Sequence, residues 1–160
     1  MRSFFLIIIS LLFFFSCDGK FVVSETRTIS GNWDMNNTIE FIIPELDSIK
    51  KYNLYLNLRN TNEYPFNNIF LIASMDFPNG KVVTDTLEYR MANPDGTWLG
   101  SGIGSIKDNK LWYKENIRFY ESGNYTLRIS QAVRNNGDIS GVSELKGITD
   151  VGYSIEEVTE

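Results

Sequence analysis

Two hydrophobic patterns divide the chain. The first is a block: Phe4 to Phe15 is apolar throughout except for Ser10, and Arg2 stands just ahead of it. A charged start followed by a short apolar run has the shape of a secretory signal. Its twelve residues fall short of the about 20 that a membrane-crossing helix needs. The second pattern, from Thr38 onward, is alternation of apolar and polar positions, broken by turn residues every 8 to 12 positions. Period two means that successive side chains point to opposite sheet faces, so this half-buried alternation predicts antiparallel strands.

Leu54, Leu56 and Leu58 face one side of a strand over Tyr52–Arg59, with Tyr55, Asn57 and Arg59 on the other. Ile69, Leu71, Ala73, Met75 and Phe77 make a second such face, and Phe70 and Ile72 render that strand apolar on both sides, as a central strand is. Pro78-Asn79-Gly80 predicts a tight hairpin, because Asn-Gly accepts the positive φ that two-residue turns demand. A return strand over Lys81–Met91, turns at Asn93–Gly96, Asp108-Asn109 and Glu121–Gly123, and strands over Leu111–Phe119, Asn124–Val133 and Thr149–Val158 complete the pattern. Gly100, Gly102 and Gly104 alternate within Thr97–Ser105, predicting a flat strip or a close backbone approach. No helical stretch of three turns follows residue 17. The expectation is an all-β fold: a single antiparallel β-sandwich of about eight strands, jelly-roll or Ig-like.

The only cysteine, Cys17, ends the apolar block in the run Phe14-Phe15-Ser16-Cys17. This run resembles a bacterial lipobox, with Ser16 as the small residue before the acylated cysteine and Phe14 where leucine is usual. The predicted organisation is a signal peptide over 1–16, a lipid-anchored tether leading into the domain over 17–37, and the sandwich over 38–160. Cleavage would remove Arg2 and five of the eleven phenylalanines, leaving 14 basic against 20 acidic residues, a net charge of −6. Two or more acyl chains hold a protein at a membrane stably where one does not. The expected location is therefore the cell envelope, lipid-anchored, at a periplasmic face or the outer membrane.

Composition narrows the chemistry. There is no histidine, which excludes imidazole triads and ligands, and one cysteine, which excludes an internal disulfide and a thiolate zinc site. A pI near 4.8 argues against nucleic acid. Carboxylates remain, among them Asp85, Glu88, Asp95, Asp108 and Glu115, but none forms a recognisable glycosidase pair. Asp34, Asp95 and Asp108 form no D-x-D-x-D calcium loop. No catalytic residue, metal or cofactor is expected. Aromatic residues offer large contact area at low entropic cost; Tyr64, Trp98, Trp112 and Arg134 are therefore the candidate surface for a protein partner or a glycan. Asp47-Ser48-Ile49 and Asp85-Thr86-Leu87 resemble an acceptor pattern for O-linked sugars on exported Bacteroidetes proteins, and the resemblance makes Ser48 and Thr86 candidate acceptors.

Several phrases occur in a telling order: Arg59-Asn60, Glu63-Tyr64-Pro65 and Asn68; Asp85-Thr86-Leu87-Glu88-Tyr89; Gly96-Thr97-Trp98-Leu99-Gly100-Ser101-Gly102; Gly123-Asn124-Tyr125; Ile129 to Arg134; and Leu145 to Gly152. Behind a lipobox-like cysteine, this set resembles the GldH gliding-motility lipoprotein family of the Bacteroidetes, from Cys17 to about Ile155. The resemblance implies a non-enzymatic lipoprotein that works with other gliding lipoproteins and envelope machinery, and it carries over Cys17 alone as a functional residue. A lipid-anchored carbohydrate-binding module for glycan capture or adhesion is the alternative reading.

Overall fold

The computed structural model describes residues 21–159. Ten strands follow in chain order: β1 (Phe21–Thr28), β2 (Asn32–Asp34), β3 (Ile39–Ile43), β4 (Tyr52–Thr61), β5 (Asn68–Asp76), β6 (Val82–Arg90), β7 (Ile106–Ile117), β8 (Tyr125–Gln131), β9 (Glu144–Lys146) and β10 (Ile148–Glu157). One sheet has the order β1-β10-β4-β7, the other β3-β8-β5-β6, and β2 and β9 form a two-stranded ribbon. Every pairing is antiparallel.

The pairings β1·β10, β2·β9, β3·β8, β4·β7 and β5·β6 are nested. The chain is thus one long double-stranded ribbon, folded back at the β5–β6 turn and rolled into two facing sheets. Further pairing of β10 with β4 and of β8 with β5 closes the roll. This is the jelly-roll arrangement, and it resolves the two sandwich types left open by the alternation alone.

The tip of the ribbon is the predicted hairpin. Phe77 N–H donates to the Lys81 carbonyl at 2.8 Å, and Gly80 takes φ +89°, a left-handed conformation that costs glycine nothing. The core is the set of inward positions that alternation identified: Leu54, Leu56 and Leu58 from β4, Ile69, Leu71 and Ala73 from β5, Tyr125, Leu127 and Ile129 from β8, and Val151, Tyr153 and Ile155 from β10, all buried. β5 lies between β8 and β6, the central place expected of it, although Ile72 on its outer face is exposed.

Three segments differ from the sequence reading. The stretch 17–37 reads in the sequence as a tether and irregular entry segment, but within it Phe21–Thr28 pairs along β10 and Asn32–Asp34 pairs with β9. The partners lie more than a hundred residues away, so nothing local signals them. Asp108-Asn109 is not a turn; it lies inside β7, opposite Arg59 and Leu58. Turn propensity yields there because Asn109 points inward and is satisfied: its Nδ2 donates to the Leu58 carbonyl at 3.2 Å and to Asn60 Oδ1 at 2.8 Å. The alternating glycines form no strand, but the close approach is real. A Cβ on Gly100 would stand 2.6 Å from Asn109 Oδ1, and one on Gly102 2.6 Å from the Ile106 carbonyl.

Candidate functional site

The register divides the molecule into two ends. At one end lie the start of β1, the end of β10, the start of β4 and the end of β7: Phe21, Glu156 and Asn53 share a row, and Tyr52 pairs with Ile117. The β5–β6 tip and the β7–β8 loop join them, since Asn79 N–H donates to Glu121 Oε2 at 3.0 Å. At the opposite end lie Ile148 on β10, Thr61 on β4, Ile106 on β7 and the loops that follow β6 and β8.

Three of the four sequence candidates, Tyr64, Trp98 and Arg134, lie at the second end, and Trp112 does not. Tyr64 and Trp98 are brought together at the second end. Tyr64 is buried, its ring 6.2 Å from Trp98 and 5.9 Å from Phe66, and its hydroxyl donates to the Asn68 carbonyl at 2.7 Å. Burial pushes the Tyr64 hydroxyl well above the ordinary tyrosine range. Trp98 packs against the core, with its indole N–H donating to Asn62 Oδ1 at 3.0 Å. Both act as braces for the adjoining loop, where Leu99 and Ile103 are exposed. Tyr64 is therefore not a surface residue, because its ring fills the space between the β4–β5 loop and Trp98.

Trp112 lies elsewhere, on the outer face of the first sheet and 53% exposed. Its ring sits 4.5 Å from that of Tyr55, and Lys110 Nζ stands 4.0 Å over Tyr55 and 5.3 Å from the Phe21 ring. The same face carries the pairs Lys110–Glu156 at 2.7 Å and Arg59–Asp108 at 2.7 Å, with Asp150 3.5 Å from Arg59. Asp108 first, then Asp150, holds the Arg59 guanidinium still more firmly in its charged form. A shallow groove of about 310 Å³ runs between Phe21, Asn57, Arg59 and Lys110. The Tyr55–Lys110–Phe21 stack escaped the sequence reading because Phe21 reaches it only through the β1–β10 and β10–β4 register.

Arg134 is exposed in the loop after β8, where it bridges Gly141, and it belongs to none of the ion pairs found among the described residues. Ser48 is exposed in the turn between β3 and β4, and Thr86 is exposed on the outer face of β6. Cys17 lies outside the described residues.

Several carboxylates are committed to structure. Asp85 faces Lys114 at 2.7 Å and accepts from the Tyr113 hydroxyl at 3.0 Å; Lys114 first, then Tyr113, holds its carboxyl below the ordinary range. Burial first, then the charge of Asp85, pushes Tyr89 up to about 12. Asp95 accepts from the Thr97 hydroxyl at 2.6 Å within its turn. Among the described residues no three acidic or cysteine side chains cluster as a metal site would. No described helix is long and apolar enough to cross a membrane.

Residues 21–155 match the family described as GldH lipoprotein. A relative from Christiangramia forsetii, named gliding motility lipoprotein GldH homolog, is 49% identical over 155 residues, which cover 97% of this chain and 95% of the relative. The gliding motility lipoprotein GldH of Flavobacterium johnsoniae is 49% identical over 152 residues, covering 95% and 94%. Among solved structures, the VP2 subviral particle of infectious bursal disease virus overlaps 89% of this chain and 34% of its own at a TM-score of 0.37 and 15% identity, a likeness too distant to bear on function. With half of all aligned positions shared along nearly the whole length of both relatives, the chain belongs to the GldH lipoprotein family.

Proposed function

We propose that this protein is a membrane-anchored, non-enzymatic lipoprotein of the cell envelope that serves gliding motility by tethering and contact. The observation that carries the reading is the family match over 21–155, to relatives named gliding motility lipoproteins, behind a lone cysteine that ends an apolar run. Acylation of Cys17 confines the jelly roll to two dimensions. Confinement raises its effective concentration near co-anchored partners, so modest interfaces suffice. The contact surface is the end of the roll away from β1's start, where Tyr64 and Trp98 brace the loop bearing Leu99 and Ile103, and where Arg134 is exposed. The partners are other gliding lipoproteins or envelope machinery.

The test is Cys17→Ala in a gliding host whose own homologue has been deleted. Wild type restores spreading and fractionates with membranes; the variant is soluble and leaves cells non-gliding. Full motility from a soluble variant would refute the tethering mechanism.

A second reading, glycan capture, draws on Trp112 alone, the indole that stands exposed on a sheet face beside the groove. Sugar-array binding lost in Trp112→Ala would favour it, and an array blank for the wild type would end it. Modification at Ser48 or Thr86 predicts an intact mass raised by a glycan, removed by Ser48→Ala or Thr86→Ala; an unmodified native mass rejects both acceptors.

A further inference from the structure

The end of the roll where β1 begins carries large exposed side chains, of which only Phe21 is partly engaged, by Lys110. Ile49, at the turn between β3 and β4, is 80% exposed, and Tyr120, after β7, is 72% exposed. Phe21 and Val22 open β1 at the same end and are also exposed. Exposed cations stand among them: Lys51, whose carbonyl accepts from Val158 N–H at 2.9 Å, and Arg118, which lines a shallow depression with Ile49, Lys50 and Glu157. Of the carboxylates of this end, Glu157 pairs with Lys50 at 2.9 Å, while Asp47 accepts from the Ile49 N–H at 2.9 Å and Glu121 from the Asn79 N–H at 3.0 Å, both keeping their charge, and Glu45 and Glu115 are exposed.

The length of chain ahead of β1 says what faces this end. Phe21 stands four residues after Cys17. Four residues span at most about 14 Å even when fully extended. The polar layer on each side of a bilayer's hydrocarbon core is about 5–8 Å thick. An acylated Cys17 therefore keeps this end within reach of the headgroups. Exposed apolar side chains are not peculiar to it: Ile103 at the opposite end is fully exposed. A ten-residue strand such as β4 separates the two ends, about 33 Å at the usual rise, so Ile103 meets the same membrane only if the roll lies on its side.

We infer that the β1-start end is a lipid-docking surface, with Ile49, Tyr120, Phe21 and Val22 seated in the interfacial layer and Lys51 and Arg118 over the headgroup phosphates. Tyrosine favours this layer, where its ring is apolar and its hydroxyl wet. The consequence is a fixed orientation: the roll stands upright on the membrane and its opposite end points away. This inference rests on acylation at Cys17.

The experiment uses the full-length acylated protein in vesicles of phosphatidylethanolamine and phosphatidylglycerol. Because Cys17 is the only cysteine and its thiol is blocked by the lipid, single variants Ile49→Cys, Tyr120→Cys and Ile103→Cys each accept one environment-sensitive dye. Labels at 49 and 120 are expected to be quenched by doxyl-lipids, and to resist aqueous iodide about threefold better than the label at 103. If the protein floats with the vesicles but all three labels meet iodide equally, the docking inference falls and the anchor stands. Resistance to iodide without doxyl quenching means that a second copy of the chain covers this end, which also overturns the inference. If the protein does not float, the anchor reading fails and the docking fails with it.

Discussion

The two ends of the jelly roll are closed by different chemistry. The β1-start end is sealed by rings: Tyr52 meets Phe119 at 5.8 Å, Phe119 meets Tyr125 at 5.0 Å, and Tyr125 meets Phe77 at 5.1 Å. The opposite end is sealed by buried polar side chains and one tight backbone crossing. Gln131 donates to the Val142 carbonyl at 2.7 Å and accepts from Val133 N–H at 3.0 Å. Between β4 and β7, Asn109 Nδ2 donates to Asn60 Oδ1 at 2.8 Å, and Asn60 Nδ2 donates to the Thr61 carbonyl at 3.1 Å. Trp33 is fully buried, its indole N–H donating to the Asn37 carbonyl at 2.8 Å. Gly147 sits at φ +80° against the Tyr64 backbone. Rings close a sandwich wherever they fall, because burial is non-directional. Hydrogen-bonded closure works only in one register, and so it also fixes the loops built on it.

Breaking the ring-closed end should cost most. Phe119→Ala removes the middle ring and is expected to lower unfolding free energy by about 3–4 kcal/mol, read as a fall in the urea midpoint. Gly147→Ala tests the crossing. Its Cβ would stand 2.6 Å from Tyr64 Cα in a left-handed conformation, so a loss of about 2–3 kcal/mol is expected, together with altered tryptophan emission from Trp98. A loss below that of a surface substitution would show that the crossing can relax.

Gln131→Ala is expected to cost about 1–2 kcal/mol by stranding buried partners. Hydrogen exchange should rise in the loop 134–143 and stay unchanged at the ring-closed end. Asp85, between the ends, gives a pH-dependent comparison. Its carboxyl is held below the usual range by Lys114 and Tyr113, so its contribution is present above the unfolded pKa of about 3.9 and lost as pH falls through the lower folded value. Asp85→Asn should therefore melt below wild type at neutral pH, with the gap closing on acidification; a gap that persists at pH about 2 contradicts the ion pair. Trp112→Ala, on the exposed face, should change stability by at most about 1 kcal/mol, leaving any loss of binding free of a folding defect.

Much of this was legible in the chain. The alternation in β4, β5, β8 and β10 located the core, and Pro78-Asn79-Gly80 located the ribbon tip. Cys17 and the ordered family phrases pointed to the family that the comparisons establish. The candidate surface was less legible. Tyr64, Trp98 and Trp112 have the same aromatic chemistry, yet one is buried, one half-buried and one exposed. Asn109 looked like a turn because its neighbour Asp108 and its own type favour turns; its burial depends on Asn60, forty-nine residues away.

The amino-acid sequence by itself determined the class: period-two strands, turns placed by Asn-Gly and Gly, and an apolar run closed by a lone cysteine. These are local signals, set by backbone conformation and by the amphipathicity of single strands. Only the tertiary structure decided the rest: that 21–28 is an edge strand, that five nested pairs make one rolled ribbon, and that Ile49, Tyr120 and Phe21 share an end. Register is the physical reason. It is fixed by partners far apart in the chain, and a slip of one residue would turn every side chain of a strand to the other face.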